Sequence, residues 1–208
     1  MADILKFPAQ PPKLDYQRVK KRRRSRENPD QLQLFPQPGA CIVDFASGLS
    51  PFEQALLLDE RGDPRTAELY ARAIAEDDCV ADAYCNLGII QSKEGRTAQA
   101  FDSFTSSLKF DPRHSESHYN LGNLYFEASD LALAEVHYEL AIGVAPSFAN
   151  GYFNLALVQA TKGELGAAIS SLTKYQSLVL PAEARNADEL LGTLKRSLAA
   201  TNQSRLSS

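Results

Sequence analysis

The sequence predicts an all-α, right-handed solenoid of about four helix–turn–helix repeats with a capping helix. Three observations predict it. Asn86, Asn120 and Asn154 recur at one fixed interval inside the strings Cys85-Asn86-Leu87-Gly88, Tyr119-Asn120-Leu121-Gly122 and Phe153-Asn154-Leu155-Ala156. Small residues recur in the same frames: Gly88, Gly122 and Ala156 at the eighth position, Ala100, Ala134 and Ala168 at the twentieth. A proline closes each unit, at Pro112, Pro146 and, one place late, Pro181. The interval, about 34 residues, is the length of two short helices and their turns, and such units bury their apolar faces by stacking.

The elements follow in chain order. Residues 1–48 hold six prolines among nine Lys/Arg and five Asp/Glu, without sustained helical or strand periodicity, and are expected to be a disordered basic tail. A degenerate first unit spans about 49–80. Ser50-Pro51-Phe52-Glu53 supplies a capping serine, a proline at the first helical position and a glutamate to complete the capping box, and Asp63-Pro64 opens the second helix in the same manner. Gly62 precedes Gly95 by one place fewer than the fixed interval, so this unit is one residue short. Units 81–114, 115–148 and 149–182 follow. In each, a small residue at position eight lets the two helices approach, and Phe104, Tyr138 or Leu172 at position twenty-four fills the space. Gly95 and Gly163 end the first helices in the left-handed conformation, whereas Ser129 stands there in the middle unit and implies a different turn. Ala187, Leu190, Leu191, Leu194 and Leu198 repeat at helical spacing over 183–199, the expected cap, and 200–208 is expected to be flexible.

These residues resemble the tetratricopeptide repeat (TPR) family. The resemblance rests on Tyr84 and Tyr152 at position four (His118 replaces them in the middle unit), Leu-Gly at seven and eight, and Tyr125 at eleven, where Gln91 and Gln159 depart from the pattern. It is strong over 81–182 and weaker over 49–80. The resemblance implies that the first helix of each pair lines a concave surface through positions two, five, six, nine, twelve and thirteen. Positions five, nine and twelve then project Cys85, Ile89 and Ser92, Tyr119, Asn123 and Phe126, and Phe153, Leu157 and Ala160 from successive units. The asparagines at position six are similar to the ladder in the repeats of O-linked N-acetylglucosamine transferases, where it grips polypeptide. The catalytic domain of those enzymes has no counterpart in the sequence. Two readings stand for Asn86, Asn120 and Asn154: hydrogen bonding to a peptide backbone, for which a carboxamide offers both donor and acceptor, or packing between neighbouring repeats. On the first reading Ile89, Tyr119, Asn123, Phe126, Phe153 and Leu157 set side-chain preference. Other repeats of this family clamp a C-terminal carboxylate with lysine and arginine. Here the corresponding stripe carries no cation and Lys93 stands alone, while Asp82, Glu116 and Glu127 favour apolar or basic peptides.

The tail carries two further motifs. Lys20-Lys21-Arg22-Arg23-Arg24-Ser25-Arg26 is a solubilising run, a strap onto the acidic array, an import signal in a eukaryote or a contact to nucleic acid. Gln31-Leu32-Gln33-Leu34-Phe35 resembles the Gln-Leu-x-Leu-Phe peptide with which bacterial proteins dock onto the replication sliding clamp, through Gln31, Leu32, Leu34 and Phe35. The alternative is that its apolar residues pack on the first repeat as an N-terminal cap.

Charge is unevenly divided, +4 over residues 1–48 and −8 over the remainder. No stretch approaches the roughly 20 apolar residues of a membrane span. The N-terminus lacks the apolar core of a secretory signal, and the three cysteines, Cys41, Cys79 and Cys85, have no metal-type spacing, so a cytoplasmic chain without cofactor is expected. His114 and His118 are four apart, but the first falls in a loop and the second at an aromatic packing position; His137 is expected to face outward and Glu135 and Glu139 to form a solvated face. No nucleophile–base arrangement is apparent, and an enzyme is not expected. The function expected is an adaptor that holds a protein or peptide in the concave groove. The alternative is a nucleic-acid-associated adaptor working through its tail, and self-association through exposed apolar surface is a third.

Overall fold

The computed structural model describes residues 15–20 and 48–206, and among these every regular element is helical. Four hairpins follow one another: α1 (Pro51–Asp59) with α2 (Thr66–Ala75), α3 (Val80–Lys93) with α4 (Thr97–Phe110), α5 (Ser115–Glu127) with α6 (Leu131–Val144), and α7 (Ala149–Thr161) with α8 (Leu165–Leu178). A final helix, α9 (Pro181–Leu206), packs on α8. The main contacts run between the helices of one hairpin and between consecutive hairpins, as in a solenoid. The sequence-predicted fold class is therefore the observed one. No helix among the described residues is long and apolar enough to cross a membrane.

Close approach within each hairpin depends on the small residue at position eight. A Cβ on Gly88 would lie 2.7 Å from the Phe104 ring, and one on Gly122 would lie 2.6 Å from the Tyr138 ring. Both rings are fully buried. In the fourth hairpin Ala156 faces the same cluster as Leu172, so a methyl group is tolerated where an aliphatic side chain replaces the ring. Glycine with an aromatic, or alanine with leucine, are two solutions of one volume constraint.

Several local features differ from the sequence reading. The turn at Ser129 is not built differently: Ser129 takes φ 62°, as Gly62, Gly95 and Gly163 take 67°, 76° and 81°. The same closing bonds form at each, Ser129 N–H to Phe126 and Asp130 N–H to Tyr125 matching Gly95 to Ser92 and Arg96 to Gln91. The middle hairpin thus carries a left-handed non-glycine residue at a cost of about 1–2 kcal/mol. Ser50 and Glu53 form the reciprocal capping box, whereas α2 starts at Thr66, two residues after Pro64. Pro181 begins α9 instead of closing a unit, and α9 runs on to Leu206 through the stretch expected to be flexible. Ala187, Leu191 and Leu194 are its buried stripe. Six residues of the stretch expected to be a disordered tail, 15–20, form an extended segment against the array. The sliding-clamp-like residues Gln31–Phe35 and the basic residues Lys21–Arg26 lie outside the described residues; only Lys20 of that run falls within them, and it is exposed.

His137 is half-buried and does not face outward. Its ring stacks on Tyr125 at 5.3 Å, and its Nδ1 lies 3.2 Å from Nδ1 of His118. His118 Nε2 is 3.1 Å from the Pro112 carbonyl. A carbonyl only accepts, so His118 carries a proton on Nε2. Burial disfavours the charged form of both imidazoles, pushing the His137 pKa down to about 4 and lowering that of His118. His114 caps α5, accepting from Ser117 N–H at Nδ1, and its Nε2 lies 2.9 Å from Asp82 of the preceding hairpin. No cluster of three metal-ligating side chains occurs among the described residues.

Three measurements check this packing. Gly122→Ala should destabilise the chain by roughly 1–3 kcal/mol in urea unfolding despite alanine's better helix propensity, because Tyr138 has nowhere to move. Ser129→Gly should stabilise it by about 1 kcal/mol, since the left-handed penalty disappears. For His137 the folded pKa, about 4, lies below the free imidazole's 6.5, so the unfolded chain binds more protons between these values. Its contribution is complete above pH 6.5 and lost as pH falls toward 4; His137→Phe should flatten the melting-temperature profile in that window.

Candidate functional site

The first helices α1, α3, α5 and α7 line one face of the array, and residues 15–20 lie extended along it. Two carboxamides hold them. Val19 donates its N–H to Asn86 Oδ1 at 3.0 Å, and Asn86 Nδ2 donates back to the Val19 carbonyl at 3.3 Å. Gln17 donates to Asn120 Oδ1 at 2.9 Å, and Asn120 Nδ2 returns to the Gln17 carbonyl at 3.1 Å. Each asparagine thus completes both backbone bonds of one residue, as a neighbouring β-strand would. One repeat along the array corresponds to two residues of the strand. The strand runs against the repeat order, its N-terminal end at the third hairpin.

The ladder changes at the next step. Asn154 does not reach the segment: its Nδ2 donates to Tyr119 Oη at 2.9 Å and to Asn123 Oδ1 at 3.0 Å, joining the third and fourth hairpins. Asn123, which also accepts from the Tyr138 hydroxyl at 2.8 Å, turns its own Nδ2 toward the Asp15 carbonyl at 3.4 Å. Asn86, Asn120, Asn123 and Asn154 are all buried, and no buried side-chain polar atom among the described residues lacks a partner.

Side chains of the segment find separate environments. Val19 is buried with Cys85, Ile89, Phe104, Leu121 and Leu124. Tyr16 packs against the same cluster, its ring nearly parallel to Phe104 at 6.3 Å, and its hydroxyl lies 3.3 Å from the Glu127 carboxylate. Burial pushes the Tyr16 phenol up to about 12 and the Cys85 thiol to about 12, so both stay neutral at physiological pH. Arg18 pairs with Asp59 at 3.0 Å and also donates to the Asp59 carbonyl. Asp59, itself buried, accepts from Tyr70, whose hydroxyl oxygen accepts from Asn86. One polar chain therefore links Arg18, Asp59, Tyr70, Asn86 and Val19.

Of the other residues singled out for side-chain preference, Tyr119 is buried against Tyr138 and Phe148, and Phe126 is half-buried beside that cluster. Phe153 packs on Tyr175, and Leu157 is buried. The hydrogen bonds of the segment reach no further along the array than Asn123 and Glu127 among the described residues. Asp59 and Tyr70 were missed. Asp59 precedes Ser92 by the same shortened interval that separates Gly62 from Gly95, so it occupies the concave twelfth position with Ser92, Phe126 and Ala160; applying that interval would have found it. Tyr16, Gln17, Arg18 and Val19 carry no periodic signal.

Comparison with known proteins agrees with the helical-repeat fold. The family model described as Tetratricopeptide repeat matches residues 85–146 and 119–188. No curated protein sequence matches the chain. Among solved structures, a crystal structure of MamA protein aligns at 20% identity with a TM-score of 0.61, over 74% of this chain and 83% of that one. The first TPR of Spaghetti (RPAP3), bound to the HSP90 peptide SRMEEVD, aligns at 22% identity with a TM-score of 0.53, over 57% of this chain and 93% of that one. The first TPR domain of human RPAP3 gives 22% identity and 0.53, over 60% and 96%. At these identities the likeness is one of fold, and with the family match spanning half of its residues the chain belongs to the tetratricopeptide repeat family.

Proposed function

We propose that this protein is a protein-binding adaptor whose groove holds an extended peptide segment by its backbone. The observation that carries the reading is the paired engagement of Val19 and Gln17 by Asn86 and Asn120. Such pairing is indifferent to side chains, so it supplies grip, while the flanking surface supplies choice. That surface is apolar around Cys85, Ile89 and Leu121 and acidic at Asp59 and Glu127. A related fold binds the acidic HSP90 peptide SRMEEVD; the acids in this groove favour a ligand of the opposite charge. Asn123 belongs with Asn86 and Asn120 as a backbone contact, and Asn154 acts by holding Asn123 and Tyr119 in place.

A quantitative pull-down with full-length baits tests the reading. Asn86→Ala/Asn120→Ala, at unchanged helicity by circular dichroism, should lose groove-bound partners at least ten-fold, since a desolvated hydrogen-bond pair is worth about 1–3 kcal/mol when one side is removed. Asn154→Ala should cost stability more than binding. Retention of every partner by the double variant would refute the groove as the binding site.

A further inference from the structure

The occupant of the groove belongs to the chain itself, and its chemistry is specific beyond the backbone. We propose that residues 15–20 are a built-in competitive ligand, and that the partner they compete with is an extended basic–apolar peptide of matching pattern: an aromatic, any residue, an arginine, then a small branched apolar residue. This rests on the groove reading above and adds the identity of the ligand class and a means of regulation.

Each position of the pattern has its own counterpart. The aromatic lies along Phe104 with a polar edge toward Glu127, as Tyr16 does. The next residue, Gln17, is read only through its backbone by Asn120. The arginine meets Asp59, which is buried, hydrogen-bonded to Tyr70 and placed to take a guanidinium. The branched residue enters the apolar cluster around Cys85, as Val19 does. Direction is fixed as well, because the arginine site lies on α1 and the aromatic site on α3 to α5. A ligand therefore runs from the third hairpin toward the first.

Occupation in cis has a clear consequence. The segment is joined to the array through residues 21–47, so it is always supplied to its own groove. A tethered ligand acts at an effective concentration on the order of millimolar for short linkers, and a free peptide must outcompete that. The arm therefore sets a threshold that only a partner with added contacts, or an event that releases the arm, overcomes.

The test uses the full chain in a Cys41→Ser/Cys79→Ser background, which leaves Cys85 in the groove floor as a reporter. The probe is a fluorescent synthetic peptide of residues 13–20, followed by anisotropy, alongside the rate of Cys85 modification by a maleimide. Tyr16→Ala/Val19→Asp should release the arm: Cys85 should react at least ten-fold faster, and the peptide should bind at least ten-fold more tightly than to the parent. A peptide with its arginine changed to glutamate should bind at least ten-fold more weakly. Equal peptide binding to parent and arm variant overturns competition while leaving the groove reading intact. Absence of binding to either overturns the proposed ligand class. Binding that survives Asn86→Ala/Asn120→Ala in the arm variant overturns the groove reading itself. Should Tyr16→Ala/Val19→Asp lose its helicity, Arg18→Glu provides the milder release; loss of fold in both would make the arm a structural strap and overturn the proposal.

Discussion

A buried carboxamide must find partners for both its oxygen and its nitrogen, and in this array that requirement couples the fold to its groove. Asn86 and Asn120 are buried at the inner face, where leaving either half unpaired costs about 1–3 kcal/mol. An adjacent helix in the array has its own backbone bonds already closed. An extended strand does not, and it offers the N–H and C=O of one residue on the same side. The two asparagines thus select for a strand, and the alternation of a strand's faces converts the step from one repeat to the next into two residues of ligand.

That coupling reaches into the core of the first hairpin. Asn86 donates to Tyr70, Tyr70 donates to Asp59, and Asp59 takes Arg18. The Arg18 side chain keeps about a third of its surface exposed, so its ion pair contributes of the order of 1 kcal/mol or less. Its larger effect is on choice and direction: a buried acid at one end of the groove rejects an acidic side chain, and its position on α1 sets which way the strand runs. Asn154 serves the same system from the other end, tying the fourth hairpin to Asn123 and Tyr119 of the third. The position-six asparagines are thus chemically equivalent in sequence and divided in use.

The repeat architecture was legible because its determinants are local and recur. Gly88 with Phe104, Gly122 with Tyr138 and Ala156 with Leu172 are pairs at one constant separation whose volumes compensate, and the period makes them visible. Ser129 misled because the left-handed turn is imposed by the hairpin, which tolerates a non-glycine residue where the flanking bonds are in place. His137 misled because its neighbours, Tyr125 and His118, lie on another helix. For the groove, the asparagines and the apolar stripe could be read, and the acid at Asp59 was within reach through the shortened interval of the first unit. The occupant could not be read. Gln17 and Asn120 lie far apart in the chain, and no periodicity relates an extended segment to the helices that bind it.

The central claim is that side-chain amides of Asn86 and Asn120 hold the backbone of the arm at alternate residues. Amide hydrogen exchange resolved along residues 15–20 by NMR tests it most directly. Protection at Gln17 and Val19, with fast exchange at Tyr16 and Arg18, is the expected pattern; Asn120→Ala should remove it at Gln17 first and Asn86→Ala at Val19 first. Uniform fast exchange across all four residues, or protection unaffected by either substitution, would contradict the claim.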